Sequence, residues 1–348
     1  MVATAVAILV LLTSDCISTP AKLSSNEAAL KNELNRKLTA IEKAGQRVQK
    51  LSRDLNDLTD VYVDPAGINE GRLTLTTAVP VTTSDVSGSS IYFTPYNGSC
   101  ISLYNGTSWK VYRFTERQYS LATNPVTSGK NYDVFLYDNA GTLTLELSAA
   151  WAGDNTRTDS IALQDGVYVK SGATTRRYLG TFRSTSTTTT ADGVAQRYLW
   201  NYQNRLRRYL LVNEATNSWA YSTDSWRAAN NTANNKVEFI IGLNEVMLTA
   251  KAMALGQSNT SGTLDYFASG SGIDSTTVNS SQLLGGGSYS GSNTGVISQA
   301  WSHYHGYPSI GYHAVQWLER SNTTGTTFYG DNNIPANYQA GMYAEIEG

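Results

Sequence analysis

The chain has 348 residues, of which 16% are charged, and its net charge is −2. This length accommodates two or three domains, and the charged fraction is below the roughly 25% typical of soluble proteins. Nucleic acid is excluded as a partner, because phosphate binding needs a basic excess that this sequence lacks. Cys16 and Cys100 have no cysteine or histidine at metal-ligand spacing, and no cofactor is predicted.

The first segment, residues 1–22, contains an apolar run from Val2 to Leu12. The run is about half the length that spans a bilayer, so an integral membrane protein is not predicted. It resembles the apolar part of a secretory signal, but no Lys or Arg precedes it and no small-x-small cleavage site follows. The alternatives are a cleaved signal and a retained plug. We expect a retained segment that docks into a larger assembly through Val2, Ile8, Leu9, Leu11 and Leu12.

Residues 23–60 carry apolar side chains at the 3.5-residue period of a coiled coil. The other faces are polar, so a lone helix would leave its leucines in water. One alternative is a helix that folds back onto its own globular body. The sustained heptad spacing favours parallel self-association as a stalk, although the heptads alone do not separate a dimer from a trimer. The predicted oligomerisation residues are Leu30, Leu34, Ile41, Val48, Leu51, Leu55 and Leu58.

The Asp64-Pro65-Ala66-Gly67 sequence ends the helix, and from Arg72 the apolar period changes to two. Turn clusters at Asn97-Gly98 and Asn105-Gly106 predict a meander of antiparallel strands. A further hairpin is predicted around Asp138–Gly141. The tract from Ser184 to Thr190 contains only Ser and Thr, and predicts a linker or an exposed strand. We therefore predict a β-rich shaft over residues 61–190.

Residues 191–348 are predicted to form a C-terminal knob. Many strands, long polar loops and almost no helix favour a β-sandwich of jelly-roll type. The fold class predicted for the whole chain is thus mainly β, with an N-terminal parallel coiled coil followed by antiparallel β-domains. The predicted knob strands are Tyr209–Val212, Val237–Gly242, Val246–Ala254, Gly311–Arg320 and Met342–Ile346.

Planar side chains are concentrated near residue 300, beside polar loops. Flat rings that stack on sugars, flanked by hydroxyl and amide groups, are typical of a carbohydrate receptor site. The alternative is that some of these rings belong to the core, as large aromatic side chains in a β-sandwich usually do. The predicted receptor-binding region consists of Trp301, His303, Tyr304, His305 and Tyr307.

The same region contains a His-x-His pattern, which on a strand directs both imidazoles to one face. In a parallel trimer six imidazoles would then approach the threefold axis, as in some phage fibre and spike tips. A single pair without a third ligand type does not predict a metal, and none is assigned. No Gly-x-Ser-x-Gly elbow is present and no carboxylate pair is marked, so no catalytic residue is assigned and an enzyme is not predicted.

Several runs in the body resemble a module common in virion proteins of tailed bacteriophages and prophages. They are Leu73–Val86, Ile91–Gly98, Ile101–Lys110, Gly129–Asn139, Asp165–Gly172 and Arg176–Thr181. The stretches Gln316–Ser321 and Phe328–Asn332 are similar to the ending of the same family. The resemblance covers residues 72–348 and implies a structural virion protein rather than a particular reaction.

Together these features predict a homotrimeric phage fibre, exposed on the virion after assembly in the host cytoplasm. Its N-terminus would bind other virion proteins, and its knob would bind a host-surface receptor, for which we expect a carbohydrate. The sequence does not distinguish a tail fibre from a capsid decoration or head fibre with a stabilising role. The alternative from another class is a tail spike that degrades glycan.

Overall fold

The computed structural model describes residues 25–60, 65–259, 265–290, 296–322 and 325–348. Contacts divide the chain into two compact units, residues 1–64 and 65–348. In the first unit, helix α1 spans Ser25–Asp60, 36 residues, with Glu27 in the first turn where it complements the helix dipole. The predicted N-terminal helix is confirmed. The predicted anchoring segment, residues 1–22, lies outside the described residues.

The second unit is mainly β. Its short 3-10 helices are Pro65–Gly67 and Ala229–Asn231. The strands before residue 205 are β1 Gly71–Thr74, β2 Val86–Gly88, β3 Ser90–Pro95, β4 Cys100–Tyr104, β5 Trp109–Arg113, β6 Arg117–Ser120, β7 Asn131–Asn139, β8 Thr142–Leu147, β9 Ile161–Gln164, β10 Val167–Lys170, β11 Ala173–Arg183, β12 Thr190–Asp192, β13 Gln196–Arg197 and β14 Leu199–Asn201. The later strands are β15 Arg207–Asn213, β16 Ser218–Tyr221, β17 Arg227–Ala228, β18 Lys236–Ile241, β19 Leu248–Ser258, β20 Asp265–Ile273, β21 Leu283–Gly285, β22 Gly287–Ser290, β23 Ser298–Gly306, β24 Gly311–Ser321, β25 Thr326–Tyr329 and β26 Gly341–Glu347.

These strands form four larger sheets and the β4–β5 hairpin. Sheet I has the order β1-β3-β6, and sheet II the order β8-β7-β11-β10-β9, with β14 beside β11. Sheet III has the order β2-β12-β13-β18-β24-β20-β22, and sheet IV the order β15-β26-β19-β23-β21. The described pairings are antiparallel except that of β13 with β18, and the predicted antiparallel β class is confirmed.

Sheets III and IV form a sandwich. Eight strands form its framework. In chain order they are β15, β18, β19, β20, β22, β23, β24 and β26, and they occupy sheets IV, III, IV, III, III, IV, III and IV. This is the strand order of a double-sheet jelly roll. Small side chains on β19, at Ala250, Ala252 and Ala254, share its core with the large rings of Phe239 and Trp317. Alternation of small and large residues allows the two sheets to interdigitate.

Local turn chemistry sets two of the hairpins. Ala140 and Gly141 have φ of 51° and 93° and join β7 to β8, as predicted. Asn105-Gly106 likewise lies between the paired strands β4 and β5. The predicted meander is wrong, however, because Asn97-Gly98 joins β3 of sheet I to β4, whose partner is β5. Strand β6 returns to β3 instead.

The Ser/Thr tract is not a linker. Ser184 and Thr190 are buried, and the turn between them is closed by a hydrogen bond from the Thr185 amide to the Thr189 carbonyl, 2.8 Å. Strand β12, which starts at Thr190, pairs with β2. The predicted division between residues 190 and 191 therefore falls inside the second compact unit and within β12 itself, which pairs with β2 and with β13.

Strand β7 is buried on both faces. Val134 and Leu136 belong to a core that sheet II shares with sheet I, whereas Phe135 belongs to the core that reaches the jelly roll. The carboxylate of Asp133, on the same strand, is fully buried. It accepts two hydrogen bonds from Arg157, at 2.7 and 3.1 Å. Thr181 also donates to Asp133, at 2.7 Å.

Arg157 connects this carboxylate to the jelly roll. Its Nη2 donates to the Gly242 carbonyl at 2.6 Å, just beyond β18. Its guanidinium lies 4.5 Å from the ring centre of Trp151, and the indole Nε1 of Trp151 donates to Asp133 at 3.2 Å. One buried ion pair thus joins sheet II to sheet III.

A second buried cation, Arg177 on β11, has carbonyl partners instead of a carboxylate. Its Nη1 donates to the carbonyls of Ala66, 2.8 Å, and Ser102, 2.7 Å, and its Nη2 donates to Gln203, 2.8 Å. Burial lowers the pKa of this guanidinium to about 10. The side chain ties the start of the body to β4 and to the segment after β14.

We expect Arg157→Met to destabilise the second unit by about 3–5 kcal/mol, because Asp133 is left buried without its counter-ion. The measurement is the urea dependence of tryptophan fluorescence. The matched control is Arg176→Met, which breaks a partly exposed ion pair with Glu146 and should cost at most about 1 kcal/mol. Asp133→Asn combined with Arg157→Met should recover part of the loss. Equal effects of the two single variants would contradict this assignment.

Candidate functional site

The predicted receptor-binding residues lie on or directly after β23, whose side chains alternate between core and solvent. Trp301 is 49% exposed, and His303 and His305 share its face of the sheet. Tyr304 points the other way and is only 4% exposed. Its assignment to the receptor-binding surface is therefore corrected, since period-two alternation places this ring in the jelly-roll core.

The solvent-facing side of sheet IV, called the outer face below, is built from cross-strand rows. The central row consists of Leu211, Tyr343, Lys251, His303 and Leu284, on five successive strands. The next row consists of Asn213, Gly341, Met253 and Trp301. Side chains in one row of an antiparallel sheet are neighbours on the same face. The outer face therefore combines exposed rings, apolar chains and one central lysine.

A hollow of about 170 Å³ lies over Gly341. A side chain is excluded at this position, because a Cβ there would lie 2.3 Å from the Val212 carbonyl oxygen. The row consequently has a gap, bordered by Trp301, Met253 and Lys251. This space is well above what a single water molecule needs.

The two histidines of the outer face lie near each other, with ring centres 6.2 Å apart. His305 Nδ1 is 3.1 Å from the Thr249 hydroxyl, whereas His303 Nε2 is buried without a hydrogen-bond partner. Burial, followed by the charge of Lys251 and then His305, lowers the pKa of His303. In the described ranges no cluster of three or more His, Cys, Asp or Glu could hold a metal ion.

A second hollow, of about 280 Å³, borders the same sheet around Tyr307. The Tyr307 ring is 66% exposed. Glu345 and Glu347 of β26 line this hollow with Arg207, which lies 3.7 Å from Glu345. The receptor-binding prediction thus separates into two places, one near Trp301 and an acidic one near Tyr307.

A further cleft, of about 630 Å³, lies elsewhere and was not predicted. It collects segments distant in sequence, including Asp154, Lys236, Asp274 and His313. Its charges are paired within the chain, for example Asp154 with Arg183 at 2.8 Å and Lys236 with Glu238 at 3.0 Å. Short polar runs such as Asp154–Asn155 and Asp274–Thr276 are visible in the sequence, but the cleft that they share depends on the tertiary arrangement.

Ser309, His313 and Asp274 line this cleft in an order that superficially resembles a hydrolase triad. His313 Nδ1 is 2.8 Å from Asp274, but Nε2 is 2.8 Å from the Ser309 carbonyl and 3.5 Å from its hydroxyl. Both ring nitrogens therefore face acceptors and donate to them. Burial alone would lower the pKa of His313, but the hydrogen bond and charge of Asp274 outweigh it and raise the pKa. A histidine that is protonated on both nitrogens cannot accept the serine proton.

The predicted oligomerisation residues lie along one side of α1. Leu30 is 71% exposed and Ile41 is 64% exposed, and Leu34, Val48 and Leu51 are exposed as well. Leu55 and Leu58 belong to α1, but their side chains lie outside the described set. The predicted anchor residues, Val2, Ile8, Leu9, Leu11 and Leu12, also lie outside it. None of the helices within the described ranges combines the length and apolar character needed to cross a bilayer.

No protein-family model matches this sequence, and a search of curated proteins finds no match. Among solved structures, the chain is similar to the insecticidal delta-endotoxin Cry8Ea1 of Bacillus thuringiensis, with 10% identity and a TM-score of 0.23 over 80% of this chain and 51% of the toxin chain. It is also similar to the mosquito-larvicidal toxin Cry4Aa of the same organism, with 10% identity and a TM-score of 0.20 over 75% of this chain and 49% of the toxin chain. The matched regions thus span about half of each toxin chain. TM-scores this low carry no inference about fold or function.

We expect the His313–Asp274 pair to make stability depend on pH. The raised pKa of His313 means that its contribution is complete below the ordinary histidine value of 6.5 and is lost as pH rises through the folded-state pKa. The pKa of Asp274 is lowered, because the hydrogen bonds from His313 and the Ala314 amide outweigh its burial. Its contribution is therefore complete above 3.8 and is lost as pH falls through the folded-state pKa.

Urea titrations between about pH 5 and about pH 9 measure this dependence. The wild-type unfolding midpoint should fall on the alkaline side, whereas His313→Gln should remove that part of the dependence. A His305→Gln variant is the matched control, because His305 is exposed, and should keep the wild-type profile. Identical profiles for wild type and His313→Gln would contradict the assignment.

Proposed function

We propose that this protein is a structural fibre protein of a tailed-bacteriophage virion, in which α1 joins three copies in parallel and the jelly roll contacts the host surface. The observation that carries this proposal is the apolar seam along α1, whose five described residues are exposed in the single chain. The family resemblance of residues 72–348 supports a virion protein rather than an enzyme.

The seam supports self-association on energetic grounds. Burying one leucine, isoleucine or valine side chain contributes about 1.5–3 kcal/mol relative to leaving it in water. Contact with identical helices would bury all members of the seam together, since the 3.5-residue period keeps them facing a partner along the whole length. At about 1.5 Å per residue, the 36 residues of α1 give a stalk about 54 Å long. The number three belongs to the proposed fibre architecture, since the heptads alone do not separate a dimer from a trimer.

The host contact is assigned to the outer face. Trp301 and Tyr343 offer planar surfaces on which the apolar side of a sugar ring can stack. The hollow at Gly341 admits a ring between the side chains around it, and Lys251 and Asn213 are polar groups at its border. A glycan receptor on the host cell is therefore the proposed partner of this face. The proposed partners of residues 1–22 are other virion proteins.

We expect Ile41→Asp combined with Val48→Asp to convert the oligomer to monomers, because each substitution places an unpaired charge in the apolar seam at a cost of several kcal/mol. The measurement is the mass of the full chain by sedimentation or light scattering. Gln46→Asp combined with Gln49→Asp is the matched control, since it adds the same charge on the outer side of the same helix and should keep the oligomeric mass. A monomeric wild-type chain would refute the assembly.

We expect Trp301→Ala to weaken attachment to host cells about tenfold while leaving the unfolding midpoint nearly unchanged, because the ring is half exposed and acts through stacking. The measurement is binding of labelled full-length protein to host cells. Leu163→Ala on β9, an exposed apolar residue of sheet II, is the control and should bind like wild type. Unchanged attachment of Trp301→Ala would remove the outer face as the receptor site.

A further inference from the structure

Lys251 is a partly buried cation at the centre of the outer face. It lies on β19, opposite Tyr343 on one side and His303 on the other. Its ammonium group lies 5.8 Å from the centre of the Tyr343 ring. Among the residues that the structure describes, no carboxylate lies within 4.0 Å of it, whereas Lys170 and Lys236 each have such a partner. The protein thus removes part of the water around this ammonium group, and its described residues supply no carboxylate in place of that water.

His303 supplies a second unsatisfied polar group beside this ammonium. Its buried Nε2 has no hydrogen-bond partner, and the nearby charge of Lys251 adds to the effect of burial in lowering its pKa. Within the described part of the chain, Lys251 thus lacks a carboxylate partner, and the buried ring nitrogen beside it lacks any hydrogen-bond partner. An anion bound at the ammonium would pair with it and, by offsetting its charge, would also favour a proton on the imidazole.

The neighbouring hollow restricts the kind of anion. Lys251 borders this hollow together with Trp301 and Tyr343, so a ligand must combine a negative group with a flat apolar surface. Asn213 and Gln339 at its edge offer amide groups that hydrogen-bond to hydroxyls. A free inorganic anion would use the lysine but not the rings, and a neutral sugar would use the rings but would leave the charge of the lysine unpaired.

We propose that the hollow over Gly341 binds a sugar residue that carries a carboxylate, stacked against Trp301 with its carboxylate paired to Lys251. This inference rests on the proposed function, because it names the class of glycan that the outer face recognises. The acidic hollow near Tyr307 restricts the neighbouring sugar of the bound glycan. Glu345 and Glu347 there would repel a second carboxylate. A uronate flanked by a neutral sugar on that side fits both hollows.

The test uses the full chain and two probes, a disaccharide of one hexuronate and one neutral hexose, and the same disaccharide with its carboxyl group reduced to an alcohol. Wild type should bind the acidic form at least about tenfold more tightly, the size expected for one charge-assisted hydrogen bond. Lys251→Met should lose this preference and bind the two forms equally. Lys110→Met is the matched control on exposed strand β5 and should keep it. Titration followed by imidazole NMR should show the pKa of His303 rising when the acidic form binds.

Three results would overturn the proposal. They are equal binding of both forms by wild type, an intact preference in Lys251→Met, and loss of the oligomeric mass in Lys251→Met without binding of either sugar. The last would identify the outer face as a contact between copies. If the acidic preference is absent while Trp301→Ala still weakens host attachment, the carboxylate assignment fails and the receptor function stands. If the preference is present while attachment is unaffected, the receptor function fails and the sugar site stands.

Discussion

The carboxylate of Asp133 is fully removed from water, and Arg157 is the cation that balances it. The same guanidinium also donates to the Gly242 carbonyl, just after β18 of sheet III. The cation that neutralises Asp133 is therefore held in place partly by sheet III. A buried ion pair adds little net stability over an apolar replacement, but breaking it is costly. The pair therefore acts mainly as a geometric constraint that fixes how the first β-rich half docks against the jelly roll.

That constraint explains why residues 65–348 form one compact unit although their sequence divides near the Ser/Thr tract. Strand β7 contributes to both cores, and β2 from the first half pairs with β12. Neither half could bury its apolar side chains alone. The two halves differ in composition but are thus continuous in packing.

In the jelly roll the two faces of sheet IV have different surroundings. The inner face packs in the core, and the outer face lies towards solvent. The inner face is filled by small residues such as Ala250 and Ala252 against large rings, which leaves little freedom for substitution. The outer face carries Trp301 and Lys251, which contribute little to that core. A substitution on the outer side can consequently alter this surface while the fold is kept.

The sequence alone determined the features that depend on local geometry: the helix from its heptads, the β7–β8 hairpin from its turn residues, and the mainly β class. It also showed that His303 and His305 would share one side if they lay on a strand. Only the tertiary structure decided that this side faces solvent and that Tyr304 faces the core, because both sets of side chains are chemically mixed. Strand β20 was missed since Gly270 and Gly272 resemble a loop, and a Cβ at either would lie within 3.0 Å of a neighbouring segment. The hollow over Gly341 is likewise invisible in the chain, because it depends on the register of strands more than forty residues apart.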